Sequence, residues 1–309
     1  MSIFGVKGRQ LVTGLKQNVS LSPYTTWKVG GNAEYFWEPC DRDIEKVMRY
    51  CYQMKMPVYY FGRGSNVLVD DAGLRGLTIC TRRTLQKIHV DKDVLLVQAG
   101  VPLPKLAKFA ADSGIRGFEF LIGIPGTVGA GVAINAGLSS NLVREMKDVL
   151  INVEVITQDG ERLKIAKEDL GLSYRSSEIL NKNLFVLCAT FAIEDEASPK
   201  EIRQIMAEHL AERKRKQPVS KATAGSTFKQ PVGGKPAGWY IDRAGLKGYR
   251  IGGAVVSHKH ANWIENNGGA TAKDIRGLIA YVQATVHDTF GISLEREIRY
   301  LPEESILYS

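Results

Sequence analysis

Three short clusters in this 309-residue chain carry side chains suited to moving a proton and holding an anion. The first is Ser173, Tyr174, Arg175, Ser176, Ser177; the second is Ala224, Gly225, Ser226, Thr227, Phe228, Lys229; the third is Leu294, Glu295, Arg296, Glu297. Each taken singly also suits an ordinary polar surface. A hydroxyl, a guanidinium and a carboxylate converging on one pocket would make a proton donor and an oxyanion clamp.

Two glycine-punctuated turns beside apolar runs suggest a divided anion cradle. In Gly62, Arg63, Gly64, Ser65, Asn66, glycine tolerates positive φ and lets a ligand approach the backbone. Successive N–H groups can then face one point, with Ser65 and Asn66 adding side-chain hydrogen bonds. The second turn contains Gly123, Pro125, Gly126, Thr127 and Gly129, where Pro125 fixes φ ahead of Gly126. A diphosphate suits such a pair of loops. A tight turn between two buried strands accounts for the first loop equally well. The dinucleotide fingerprint of doubly wound folds fails, because Val67 stands where its third glycine belongs and a strand follows. No phosphate-binding loop ending in Gly-Lys-Ser/Thr is present either.

The elements that must position these residues follow from hydrophobic periodicity. Short apolar strands are predicted at 33–37, 58–61, 67–69, 77–80, 94–99, 153–157 and 184–193, with helices over 41–54 and 103–113 between them. Ser198 and Glu201 form a capping box around Pro199 and open a helix whose apolar positions are Ile202, Ile205, Met206 and Leu210. An irregular stretch over 217–238 is too long for a simple linker. Beyond it come a short helix over 237–243, strands near 253–257 and 262–265, and an amphipathic helix from Thr271 with Gly291 as terminator. A final strand is predicted over 292–301, its alternation placing Glu295, Glu297 and Arg299 on one side. The class is α+β.

The length allows two domains or three small ones. With 41 Lys and Arg against 33 Asp and Glu, the net charge is +8, but the basic residues are scattered. Only Arg213, Lys214, Arg215, Lys216 cluster, at the end of a predicted helix where the dipole favours cations. An anionic small substrate would be steered by the same excess. Cys40, Cys51, Cys80 and Cys188 lack metal-like or redox-like spacing, which points to reduced thiols and a cytoplasmic setting. His258 and His260 lack further ligands at suitable spacing, so no metal site is expected. Neither a membrane span nor a secretory leader is expected.

Taken together, these segments resemble the UDP-N-acetylenolpyruvoylglucosamine reductase family from about Tyr24 to Arg299. The resemblance is carried by Thr26 to Gly31; Gly62 to Val69; Gly123 to Gly129 with Asn135, Ala136, Gly137; Tyr174 to Ser177; Gly225 to Lys229; His260, Ala261, Asn262; and Leu294 to Arg299. It implies a non-covalent FAD held in a two-subdomain fold of the vanillyl-alcohol-oxidase (PCMH) type over residues 1–196, followed by a smaller α+β substrate-binding domain over 197–309. The cradle would hold the FAD pyrophosphate. The direct run from Arg175 into the strand near Leu184 resembles the shorter, type II subgroup.

The same resemblance implies that Arg175 is the active-site arginine, Ser226 the serine that protonates substrate and Glu297 the carboxylate near the enolpyruvyl group. NADPH would reduce the flavin, and the flavin would reduce the UDP-sugar enolpyruvate. Glu297 either polarises a shared hydrogen bond or, protonated by burial, donates one. Ser226 needs a neighbouring cation or water chain, for which Lys229 is the candidate. Lys216 resembles the lysine that contacts the substrate diphosphate, and Asn262 is a candidate lining residue. The chain departs from the family pattern at Gly129, Ala130, Gly131, in the extra residues around Leu138, Ser139, Ser140, and at Gln230. No obligate protein partner is implied.

Two competing readings remain at this point. An FAD-dependent alcohol or sugar oxidase on the same fold would be reoxidised by oxygen, and many such enzymes hold FAD covalently through His or Cys; no His lies near residues 62–66. A nucleic-acid-binding module rests on net charge alone and lacks interleaved aromatics along a basic stripe.

Overall fold

The computed structural model describes residues 5–6, 9–10, 12–138 and 144–302; Ser139 and Ser140 lie outside them. The chain forms two compact units. One comprises residues up to 17, 35–63 and 76–211; the other comprises 18–34, 64–75 and 212 onward.

The first unit is built on an antiparallel five-stranded sheet in the order Arg162–Ala166, Leu150–Ile156, Phe185–Ala192, Val94–Gln98, Ile88–Asp91. Period-two alternation buries Leu95 and Val97 on one face, and they join Val153, Val155, Leu106, Val128 and Val132 in one apolar cluster. Phe118 meets Phe191 edge-on in the same cluster, with ring centroids 5.8 Å apart.

A four-stranded sheet follows the order Lys16–Ser20, Asn32–Trp37, Leu74–Cys80, Val58–Phe61. The helix Ile44–Gln53 buries Ile44, Val47, Met48 and Cys51, the 0, 3, 4, 7 spacing of a single apolar stripe. Val58–Phe61 and Leu74–Cys80 are parallel, with Val58 opposite Leu77. Their connection is the first glycine loop plus the strand Val67–Val69. That strand leaves the sheet to pair in parallel with Arg299–Leu301.

In the second unit, the helix Ala272–Phe290 starts at a capping box between Thr271 and Asp274 and stops at Gly291, whose φ of 67° is left-handed. Asp71 adds a second cap from a distant segment, accepting hydrogen bonds from the Ala272 and Lys273 amides at 2.8 and 2.9 Å. The helix buries Ile275, Leu278, Ile279, Val282 and Val286 in a core with Trp27, Val256 and Ile264. Trp27 is fully buried, and its indole donates to the Ile264 carbonyl at 2.8 Å. A three-stranded sheet, Arg250–Ile251, Ala254–Val256, Ile264–Asn266, completes the unit.

The strand predicted over 292–301 is confined to Arg299–Leu301. Upstream, the same extended chain bonds elsewhere: the Lys229 amide donates to the Glu295 carbonyl and the Glu297 amide to the Thr227 carbonyl. Alternation in sequence reports extended backbone but not a change of partner along it.

Candidate active site

In the first unit, Gly62 of the first predicted turn lies against Thr127 of the second. A methyl group on Gly62 would collide with the Thr127 hydroxyl. Thr127 runs antiparallel to Pro102, and its neighbours are fixed by main-chain bonds from Leu103 to Gly126 and from Val128 to Val101. Gly126 has φ of 147°, which side chains rarely adopt. Thr127 is 1% exposed, and its hydroxyl has no hydrogen-bond partner among the described residues. A buried hydroxyl left unpaired costs about 1–3 kcal/mol, so one aimed beside a glycine-only approach fits a ligand oxygen. Gly123 ends the short 3-10 turn Glu119–Gly123. Gly129 has a packing role, since a Cβ there would sit 2.8 Å from that of Ala99.

Arg63 is exposed, and the remainder of the first loop is fastened within the second unit. Gly64 has φ of 61° and abuts the Tyr24 carbonyl; its own carbonyl accepts from the Thr26 amide at 3.0 Å. Ser65 is half-buried. The Asn66 side-chain amide donates to the Glu297 carbonyl at 3.2 Å, and the Asn66 carbonyl accepts from the Arg299 amide at 3.0 Å.

Arg175 sits at the tip of a turn closed by reciprocal main-chain bonds between Ser173 and Ser176. Its φ of 56° is left-handed, a conformation costing of order 1–3 kcal/mol for a non-glycine residue and held only where the surroundings fix it. Those surroundings are visible. Asn135, fully buried, donates to the Ser173 carbonyl at 3.1 Å and to the Glu145 carboxylate at 2.9 Å, while the Ser177 hydroxyl donates to the Ala133 carbonyl at 2.5 Å. The guanidinium donates to the Gly137 carbonyl at 3.2 Å and lies 4.8 Å from the Tyr174 ring centre.

In the second unit, Ser226 follows Gly225, whose φ is 83°, and bridges antiparallel to Trp263. Ser226 is half-buried, while the next residues, Thr227 and Phe228, are buried. The Glu297 amide donates to the Thr227 carbonyl at 2.9 Å, so the segments bearing Ser226 and Glu297 lie side by side. Asn262 accepts from the Phe228 amide at 3.0 Å and donates to its carbonyl at 2.8 Å. The candidate lining residue thus spends its amide on the main chain beside the serine. Lys229 pairs with Glu295 at 2.5 Å, and Lys216, half exposed at the end of its helix, pairs with Glu212 at 2.5 Å.

Among the described residues, the buried hydroxyls of Thr223 and Thr227 lack a partner, as do Nε1 of Trp263, whose backbone bridges Ser226, Nη1 of Arg296, whose backbone bridges Phe228, and Oε1 of Gln217. Arg213 lies with its guanidinium 5.7 Å from the Trp263 ring centre, and burial pushes its pKa down. Burial likewise lowers the His260 pKa below its usual value, and its Nδ1 accepts from the Asn262 amide at 3.3 Å. Neither Arg213 nor Trp263 was singled out as a site residue from sequence. The signals were a basic residue one helical turn before Lys216 and an aromatic residue directly after Asn262.

Known proteins place this architecture in two steps. Residues 40–166 match the FAD binding domain family, which defines a flavoprotein. Residues 217–301 match the family described as UDP-N-acetylenolpyruvoylglucosamine reductase, C-terminal domain. A protein named UDP-N-acetylenolpyruvoylglucosamine reductase from Rickettsia canadensis (strain McKiel) is 42% identical over 286 residues, 92% of this chain and 94% of its own. One of the same name from Prochlorococcus marinus (strain MIT 9313) is 40% identical over 301 residues, 96% of each chain. The crystal structure of UDP-N-acetylenolpyruvylglucosamine reductase from Thermus caldophilus superposes with a TM-score of 0.76 at 36% identity, covering 92% of this chain and 98% of that one. This chain belongs to the UDP-N-acetylenolpyruvoylglucosamine reductase family.

Proposed function

We propose that this chain reduces UDP-N-acetylenolpyruvoylglucosamine to UDP-N-acetylmuramate with NADPH through bound FAD, a step of peptidoglycan precursor synthesis, with Arg175, Ser226 and Glu297 as catalytic residues. Under this reading residues 1–196 hold the flavin, 197–309 the sugar nucleotide, and the enzyme works in the cytoplasm. The carrying observation is the Glu297 amide bonded to the Thr227 carbonyl, which sets a carboxylate segment beside a serine whose neighbour Thr227 has a buried, unpaired hydroxyl.

Residues 62–66 with Gly123, Gly126, Thr127 and Gly129 would hold the FAD diphosphate, for which the unpaired Thr127 hydroxyl beside Gly62 is the fitting feature. When bound, FAD would supply to the enolpyruvyl methylene carbon the hydride taken from NADPH, leaving one proton to be added at the neighbouring carbon. Arg175 holds the substrate carboxylate, where negative charge builds as the double bond is reduced; its planar, permanently charged fork suits that role. Ser226 delivers a proton to the carbon next to that carboxylate, and Glu297 orients the enolpyruvyl group. Lys216 and Arg213 supply positive charge for the UDP phosphates, Arg213 from a partly desolvated position where its charge is less screened.

The test is the anaerobic visible spectrum of the pure protein. NADPH bleaches the flavin band, and added UDP-N-acetylenolpyruvoylglucosamine restores it. A band bleached by simple alcohols without NADPH and restored by oxygen would establish an oxidase instead.

A further inference from the structure

We infer that Asn262 is the positioning residue for the proton donor, holding Ser226 in register by clamping the two residues that follow it. The inference rests on Ser226 being that donor. A carboxamide presents a carbonyl and an N–H group side by side, as a peptide does, so it can pair with a peptide as a neighbouring strand would. Asn262 does this with Phe228, accepting from its amide at 3.0 Å and donating to its carbonyl at 2.8 Å. Its own main-chain carbonyl accepts from the Thr227 amide at 2.8 Å. Both partners are buried, Asn262 at 8% and Phe228 at 2% exposure, so water cannot replace these bonds.

The Thr227 carbonyl, facing the other way, is taken by the Glu297 amide at 2.9 Å. The Thr227–Phe228 peptide, one residue on from Ser226, is therefore fixed from two sides, its N–H by the Asn262 side chain and its carbonyl by the segment carrying the proposed carboxylate. Asn262 is itself set by its neighbours, its main-chain N–H donating to His260 Nδ1. The side chain that looked like a substrate ligand in the sequence thus has its carbonyl and its amide turned onto the protein. Its removal leaves two buried groups of Phe228 unpaired and lets the loop relax, and a shift of about 1 Å at a catalytic group costs on the order of 10²-fold in rate.

The experiment measures both half-reactions of the FAD-loaded protein by anaerobic stopped flow for wild type, Asn262→Ala, Asn262→Asp, Ser226→Ala and the Ser226→Ala/Asn262→Ala double variant. Asn262→Asp keeps the shape and the acceptor for the Phe228 amide while setting an oxygen against the Phe228 carbonyl. It decides the matter if the alanine variant does not fold. In both Asn262 variants, flavin reduction by NADPH should stay near wild type. Reoxidation by UDP-N-acetylenolpyruvoylglucosamine should slow about 10- to 10²-fold, with an enlarged solvent deuterium isotope effect. In the Ser226→Ala background, loss of the Asn262 side chain should slow reoxidation no further.

Equal slowing with and without Ser226, or equal damage to both half-reactions, would overturn the inference in favour of a merely structural role. A weakened substrate dissociation constant at an unchanged limiting rate would make Asn262 a substrate ligand. Wild-type reoxidation in Ser226→Ala itself would remove the proton-donor assignment, and the inference with it.

Discussion

The main-chain amide of Glu297 donates to the carbonyl of Thr227 at 2.9 Å, locking the segment that carries the proposed carboxylate to the loop that carries the proposed acid. This bond involves no side chain, so it survives substitution of either catalytic group. Each can therefore be removed without dismantling the other's setting.

Ser226→Ala should leave flavin reduction by NADPH nearly intact and slow reoxidation by substrate about 10²- to 10⁴-fold, the usual contribution of a positioned proton donor. Rapid mixing of reduced protein with substrate resolves the two steps. Equal damage to both would remove the serine from the chemistry.

Arg175→Lys should fail to restore what Arg175→Ala loses. A charge-assisted hydrogen bond contributes about 1.5–3 kcal/mol, roughly 10- to 10²-fold in substrate turnover. Lysine keeps the charge but lacks the planar fork, and it inherits the left-handed φ of 56°. Turnover under saturating NADPH is the readout.

Thr127→Val separates the cofactor from the fold. Because the hydroxyl is buried and unpaired, replacing it with a methyl of similar shape should leave the melting temperature of the FAD-free protein unchanged or raised. FAD affinity, measured by fluorescence titration, should fall by about 0.5–1.5 kcal/mol. Gly62→Ala, which drives a methyl into that hydroxyl, should weaken FAD binding more.

Asp71→Ala should lower stability by about 0.5–2 kcal/mol, the range for a lost helix cap, with m unchanged in urea unfolding. The carboxylate serves the Ala272 and Lys273 amides at once, while Thr271 and Asp274 continue to cap the same helix. That residual cap places the expected loss toward the lower end.

His260 gives stability a pH dependence whose sign follows from its lowered pKa. Burial favours the neutral ring, so the folded state binds the proton less readily than the unfolded chain. The resulting stability is fully present above the ordinary value of 6.5 and is lost as pH falls through the folded value below it. Urea unfolding of wild type and His260→Asn across that window should show the steeper loss in wild type.

Much of the fold was legible in the sequence where apolar contrast is strong. The strand Val58–Phe61 and the helix Ala237–Arg243 fall where periodicity places them, and Gly291 ends its helix as expected. Strands Lys16–Ser20, Ile88–Asp91 and Arg162–Ala166 were not foreseen. All three lie at the edges of their sheets with mostly exposed residues, where the pattern that marks a strand fades. Leu74–Cys80 begins three residues before the predicted Leu77, because Arg75 and Gly76 interrupt the apolar run and Gly76 fits against the Pro57 carbonyl. Of the site, motif order revealed which residues to watch. It did not reveal direction: nothing in the residue types says that the Asn262 amide faces Phe228 or that the Thr127 hydroxyl lacks a partner.

The parallel pairing of Val67–Val69 with Arg299–Leu301 joins segments far apart along the chain, and the adjoining Asn66–Glu297 bond spans 231 positions. Contacts of such separation close late in folding. During synthesis the glycine loop thus stays incomplete until the C-terminal strand emerges. A chain stopped short of Arg299 would expose the edge of Val67–Val69 to other chains, so truncation before Arg299 should cause aggregation as well as lost activity.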